Sequence, residues 1–115
     1  MTQVLDTLSR RWSVLVVNAV SAGYCRFNEL HRHLEGINHK VLIETLYRLQ
    51  RDGYLTGPLT APPRRGNRTD AVPYELTSLG RNFRDLVHAL DEWSERHEEH
   101  LTRAREDFDR LRATA

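Results

Sequence analysis

After Gly80 the chain contains no further glycine and no proline up to its last residue, Ala115. Across that stretch Leu79, Phe83, Leu86, Leu90, Trp93 and His97 follow one another at spacings of 4-3-4-3-4. Leu101, Ala104, Phe108 and Leu111 then continue at 3-4-3, after one four-residue irregularity between His97 and Leu101. This is the a/d seam of a long amphipathic helix. Thr77 is placed to cap it, and it should run over residues 77–112. The irregularity leaves room for a bend at residues 97–100. A stripe of this length needs a partner surface, and the residues ahead of it can cover only part. A second copy of the chain is the expected remainder. Leu5, Leu8, Trp12, Phe83, Leu86, Leu90 and Trp93 are the expected contact residues.

The chain has 115 residues, enough for one domain with one modest core. The longest apolar run, Val14 to Val17, is far too short to span a bilayer, and no signal-peptide apolar block precedes it. A single cysteine, Cys25, excludes an internal disulfide framework and a cysteine-based zinc site. A cytoplasmic protein that does not enter the membrane is expected. Charge is uneven. Residues 24–68 carry eight basic residues against four acidic ones, whereas residues 81–112 carry seven against nine. A basic middle and an acidic tail fit a polyanion-binding module followed by a segment that stays off the polyanion.

Ahead of the long helix, periodicity and punctuation mark four shorter ones. The first covers about residues 2–8. The second covers residues 12–22, with Ser9 as a candidate cap, Leu15, Val16, Ala19 and Val20 inward, and Gly23 as its stop. The third covers residues 29–34, with Asn28 as cap, Leu30 and Leu34 inward, and Gly36 as its close. The fourth runs from the cap Asn38 to about Asp52, with Val41, Leu42, Leu46 and Leu49 inward and Gly53 as its stop. Residues 54–59 and 72–76 read as two strands. They flank an irregular loop containing Pro62, Pro63, Gly66 and three arginines. The expected fold is mainly α (α+β): one domain over residues 1–115, with a helix-turn-helix at 28–52, a wing hairpin at 54–76 and the long helix last.

This order of elements suits duplex DNA. The major groove admits one α-helix whose outer face is polar. On the fourth helix His39, Lys40, Ile43, Glu44, Tyr47 and Arg48 are left outside. Lys40 and Arg48 can reach guanine edges or phosphates, His39 and Tyr47 can donate to bases or backbone, and Glu44 can accept from cytosine. The free N–H groups at residues 38–40 favour a phosphate. Arg64, Arg65 and Arg68, beside Gly66 and Asn67 at the hairpin tip, can enter a minor groove or straddle a phosphate strand. A polar outer face or a basic loop alone would be an ordinary solvated surface. The helix pair, the order and the wing together favour DNA.

Five motifs resemble those of HxlR-type transcriptional regulators. They are Arg11-Trp12-Ser13-Val14-Leu15, Arg26-Phe27-Asn28-Glu29-Leu30, Gly36-Ile37-Asn38 with Leu42, Leu46, Leu49 and Asp52-Gly53-Tyr54-Leu55, Tyr74-Glu75-Leu76-Thr77-Ser78-Leu79-Gly80, and Trp93. The resemblance covers residues 5 to about 97. It implies a winged helix-turn-helix homodimer on operator DNA, with the fourth helix in the major groove and Trp93 in the dimerisation helix. The DNA-facing set is then Arg26, Asn38, His39, Lys40, Glu44, Tyr47, Arg48, Arg64, Arg65 and Arg68. A repressor on an inverted repeat, released by a small-molecule effector, is the expected mode. Asn38 stands where the family has serine, and the wing is longer and richer in arginine. The cysteine that redox-sensing members carry before the tryptophan motif is missing. Sixteen of the seventeen Lys and Arg residues are arginine, which points to a GC-rich bacterial genome.

Other residues invite chemistry and are better read as structure. Cys25 beside Arg26 serves as a small hydrophobe. His31 and His33 diverge on their helix, and His97 and His100 lack a fixed third metal ligand. Trp12, Phe83 and Trp93 suit packing more than an effector pocket. No phosphate loop or carboxylate pair indicates an enzyme, and no cofactor is expected. The competing function is a winged-helix protein-interaction module or anti-regulator that no longer reads DNA. Such a module has no need of Arg64, Arg65 and Arg68.

Overall fold

The computed structural model describes residues 7, 10–60 and 72–114. The chain divides into two compact units, Met1–Asp85 and Leu86–Ala115. Leu5, Leu8, Arg64, Arg65 and Arg68 lie outside the described residues. So does most of the first expected helix, of which Thr7 is helical and buried.

In the first unit, α1 (Arg11–Ser21), α2 (Phe27–His33) and α3 (His39–Arg51) precede strands β1 (Leu55–Thr56) and β2 (Glu75–Leu76). The strands pair antiparallel, with Leu55 opposite Leu76 and Thr56 opposite Glu75. They are shorter than the runs 54–59 and 72–76 expected from alternation. Beyond Thr56 the backbone turns, and the Thr60 N–H and hydroxyl bond back to the Gly57 carbonyl. Helix α4 (Ser78–Thr114) closes the fold and is unbroken through residues 97–100.

Local chemistry accounts for most boundaries. Gly23, Gly36 and Gly53 all take positive φ, the conformation that ends a helix and that a Cβ would disfavour. Asn38 caps α3, its Oδ1 accepting from the Val41 N–H at 2.8 Å. Thr77 caps α4, its hydroxyl oxygen accepting from the Gly80 N–H at 3.0 Å. One expected cap is corrected. Helix α2 begins at Phe27 with Arg26 at the cap position, so Asn28 lies inside its first turn. Helix α1 has Arg10 at its cap position, without a side-chain bond, and Ser9, its expected cap, lies outside the described residues.

The core gathers Val16, Val17, Leu30, Leu42, Leu46, Leu49 and Leu55, each almost fully buried. Val17 replaces Leu15 on the inner stripe of α1, where Leu15 is only half-buried. Two buried polar side chains of α3, Thr45 and Gln50, find partners inside the fold. The Thr45 hydroxyl donates to the Val41 carbonyl at 2.8 Å. Gln50 donates to the Leu46 carbonyl at 3.1 Å and accepts from the Leu59 N–H at 3.0 Å, tying α3 to the base of the hairpin. An unpaired amide there would cost roughly 1–3 kcal/mol.

The first turns of α4 separate two stripes that heptad spacing merges. Gly80 and Phe83 face inward, and the Phe83 ring lies 5.0 Å from that of Tyr54. Phe83 is thus spent on its own chain's core, leaving it little surface for a second copy. Leu79 points outward. In the second unit Val87 is buried, while Leu86, Leu90 and Trp93 remain 43–48% exposed. Further on Leu101, Phe108 and Leu111 are 40%, 59% and 71% exposed.

Candidate nucleic-acid interface

The candidate surface is the outer face of α3 with the turn that leads into it. Helix α2 and the turn are anchored by Leu30, Leu34 and Ile37, all buried. Helix α3 is anchored by Leu42, Thr45, Leu46 and Leu49, which recur at i, i+3, i+4 and i+7. That anchorage forces the other side of α3 outward. His39, Lys40, Ile43, Glu44 and Tyr47 are all exposed, Ile43 by 48% and Tyr47 by 52%. Asn38 and Arg26 are exposed as well.

Arg48 differs from its neighbours. It is half-buried, and its Nε is shielded without a hydrogen-bond partner among the described residues. Arg48 is thus only partly displayed on this face, unlike His39, Lys40, Ile43, Glu44 and Tyr47.

The ion pairs among the described residues, Arg84–Asp85 at 3.1 Å and Arg110–Asp107 at 3.6 Å, use no residue of α3. Arg81 at the start of α4 donates to the Leu76 carbonyl and the Ser78 hydroxyl. Arg84 donates to the Ser21 hydroxyl. These two arginines are engaged within the fold, whereas Lys40 has no acidic partner among the described residues.

One grouping had not been expected from sequence. Phe27, His31 and His39 form an aromatic cluster where α2 meets the start of α3. The His39 ring lies 4.9 Å from that of Phe27 and 6.1 Å from that of His31. Phe27 and His31 are four apart on one helix, so they share a face, and that spacing was the available signal. His33 turns elsewhere and stacks on Tyr24 at 3.9 Å. The divergence of His31 and His33 therefore holds. Trp12 is half-buried beneath the Arg11 guanidinium, 5.7 Å from its ring centroid.

The hairpin base sits beside this surface. The Tyr74 N–H donates to the Cys25 carbonyl at 2.8 Å, linking β2's approach to the α1–α2 connection. Burial pushes the Tyr74 hydroxyl above its ordinary pKa. The Tyr74 ring packs so closely on Gly57 that a Cβ there would lie 2.6 Å from it.

Two helices joined by a tight turn, a following hairpin and a long C-terminal helix are the architecture of winged helix-turn-helix transcriptional regulators. The sequence model described as HxlR-like helix-turn-helix matches residues 7–102. The chain belongs to that family. It is 34% identical over 96 residues to the uncharacterized HTH-type transcriptional regulator YtfH of Escherichia coli (strain K12), covering 81% of this chain and 70% of that one. Among solved structures it is similar to ytfH from Salmonella typhimurium, with 32% identity and a TM-score of 0.69 over 91% of this chain and 89% of that one. It is also similar to a chain from Enterococcus faecalis V583 described as a transcriptional regulator of the MarR family. That likeness has 25% identity and a TM-score of 0.71, over 89% of this chain and 88% of the other.

Proposed function

We propose that the protein is a homodimeric transcriptional repressor that reads an inverted-repeat operator in duplex DNA and is released by a small-molecule effector. In this reading α3 enters the major groove. Lys40 and Arg48 contact guanine edges or phosphate, His39 and Tyr47 donate to bases or backbone, and Glu44 accepts from cytosine. Arg26 and the capped turn at Asn38 meet the phosphate strand. Arg64, Arg65 and Arg68 of the wing take phosphate or the minor groove. Leu86, Leu90 and Trp93 form the dimer contact, joined by Leu5, Leu8 and Trp12.

The single observation that carries the reading is the exposed face of α3. Its five outward side chains include an isoleucine and a tyrosine about half exposed, on a helix whose other side is fully committed to the core. Apolar groups displayed among polar ones suit a surface that meets base edges, the thymine methyl included. The test is binding to fragments of the source genome, followed by footprinting of the tightest. A protected inverted repeat with half-sites roughly 10 bp apart, or a multiple of that, is expected. Failure to bind any duplex would shift the reading to a protein-interaction module.

A further inference from the structure

The last three turns of α4 run past the stretch that the family shares, which ends at residue 102. They are helical to Thr114, and Leu101, Phe108 and Leu111 are exposed on one side. With Ala104 they repeat at 3-4-3, which places Leu101 and Phe108 at a positions and Ala104 and Leu111 at d positions. Leu90 and Leu101 are eleven residues apart. An eleven-residue step completes three turns at about 3.67 residues per turn, so it carries the stripe forward on the same face while locally relaxing a left-handed supercoil. The irregularity at residues 97–101 is therefore compatible with one continuous seam.

The charges beside the stripe select an occupant. In this register Asp107 is at g, Arg105 and Arg112 are at e, and His100 is at g. Two parallel copies would bring Asp107 of each against Arg112 of the other, an attractive pair on both sides of the seam. His100 would face Arg105 and add no attraction. Antiparallel copies would instead set Asp107 against Asp107 on one side and Arg105 against Arg105 on the other, with no attraction inside the segment and only Arg112 reaching an acidic residue, Glu98, beyond it. Within one chain the same charges make only loose contacts. Asp107 is 3.6 Å from exposed Arg110, and the Arg112 guanidinium lies 6.0 Å from the Phe108 ring centroid. Exposed contacts of this kind are easily exchanged.

We propose that residues 101–112 pair in parallel with the same segment of a second copy, Asp107 of each chain meeting Arg112 of the partner subunit. This rests on the homodimer reading above and assigns it an orientation and a second contact region.

The test uses the full chain carrying Cys25→Ser, so that an added cysteine is the sole thiol. Mild oxidation of the Leu111→Cys form should give a covalent dimer, as should the Leu101→Cys form. The Glu106→Cys form, on the outer face, should not. Mixing the Leu101→Cys and Leu111→Cys proteins with tags of different size should give no mixed dimer, and a mixed dimer would mean antiparallel pairing and overturn the proposal. Absence of any crosslink in a chain that sediments as a dimer would also overturn it while leaving the homodimer standing. A chain that sediments as monomer at micromolar concentration would remove both. Asp107→Arg should weaken self-association about two- to fivefold at low salt, and adding Arg112→Asp should restore it. An additive loss in the double variant would refute the pairing.

Discussion

The carbonyl oxygen of Tyr54 occupies the place where a Cβ on residue 80 would stand. Gly80 is therefore what lets the first turn of α4 lie directly on the backbone that leaves α3. Alanine is the better helix former by up to about 1 kcal/mol, so propensity alone predicts that Gly80→Ala stabilises. The collision is with backbone and cannot be relieved by a side-chain rotation. We expect Gly80→Ala to destabilise by about 1–3 kcal/mol, read as a lower urea midpoint at unchanged slope.

Asn38→Ala removes the acceptor for the Val41 N–H. The expected loss is about 1 kcal/mol, and Asn38→Ser should recover most of it because serine caps equally well. Thermal unfolding of the three proteins checks this. If Asn38 also meets a phosphate, Asn38→Ala will lower DNA affinity at all sequences alike.

Arg48 and the wing arginines should control different properties. Arg48→Ala should cost about 1–3 kcal/mol on the operator and relax preference at one position per half-site. Removing Arg64, Arg65 or Arg68 should weaken binding to every sequence and reduce the salt slope by about one unit per lost phosphate contact, doubled in a symmetric dimer. Salt titrations on operator and random duplex separate the two. The opposite pattern, with wing variants altering preference and Arg48→Ala weakening all sequences equally, would reverse the assignment.

Alkaline stability should depend on Tyr74. Its folded pKa is raised above the ordinary value of 10.0 because burial penalises the phenolate. Below that value both states hold the proton and the contribution is fully present. As pH rises past it the unfolded chain loses the proton first, so stability falls and continues to fall through the folded pKa. Tyr74→Phe should flatten the decline of the urea midpoint above about pH 10, and an unchanged decline would place the cause in another group.

The elements legible in the sequence were those with strong punctuation. Asn38 opens α3 and Gly53 closes it because a side-chain oxygen and a positive φ are local requirements. Thr77 is the cap it was expected to be. Asn28 was a false signal. A capping residue type is permissive, and here the chain enters the helix one residue earlier, after extended Arg26. Phe83 was misplaced because heptad counting cannot separate a stripe facing the chain's own core from one displayed outward. Only the packing of Phe83 against Tyr54 makes that division. For the candidate surface, the exposure of His39, Lys40, Glu44 and Tyr47 followed from the anchoring leucines. The partial burial of Arg48 and the cluster of Phe27, His31 and His39 did not, since both depend on how separate segments meet.

Thr77 has a mechanical consequence beyond its cap. Its hydroxyl donates to the Gly53 carbonyl, with the Tyr54 carbonyl as a second acceptor, while its oxygen receives the Gly80 N–H. Its backbone N–H also donates to the Tyr54 carbonyl at 3.1 Å. One residue thus clasps the exit of α3 to the entry of α4, although 23 positions separate Thr77 from Tyr54. Within the first unit, a displacement of the α4 entry at Thr77–Gly80 is therefore felt at the α3 exit through a few hydrogen bonds, a path far shorter than the intervening chain.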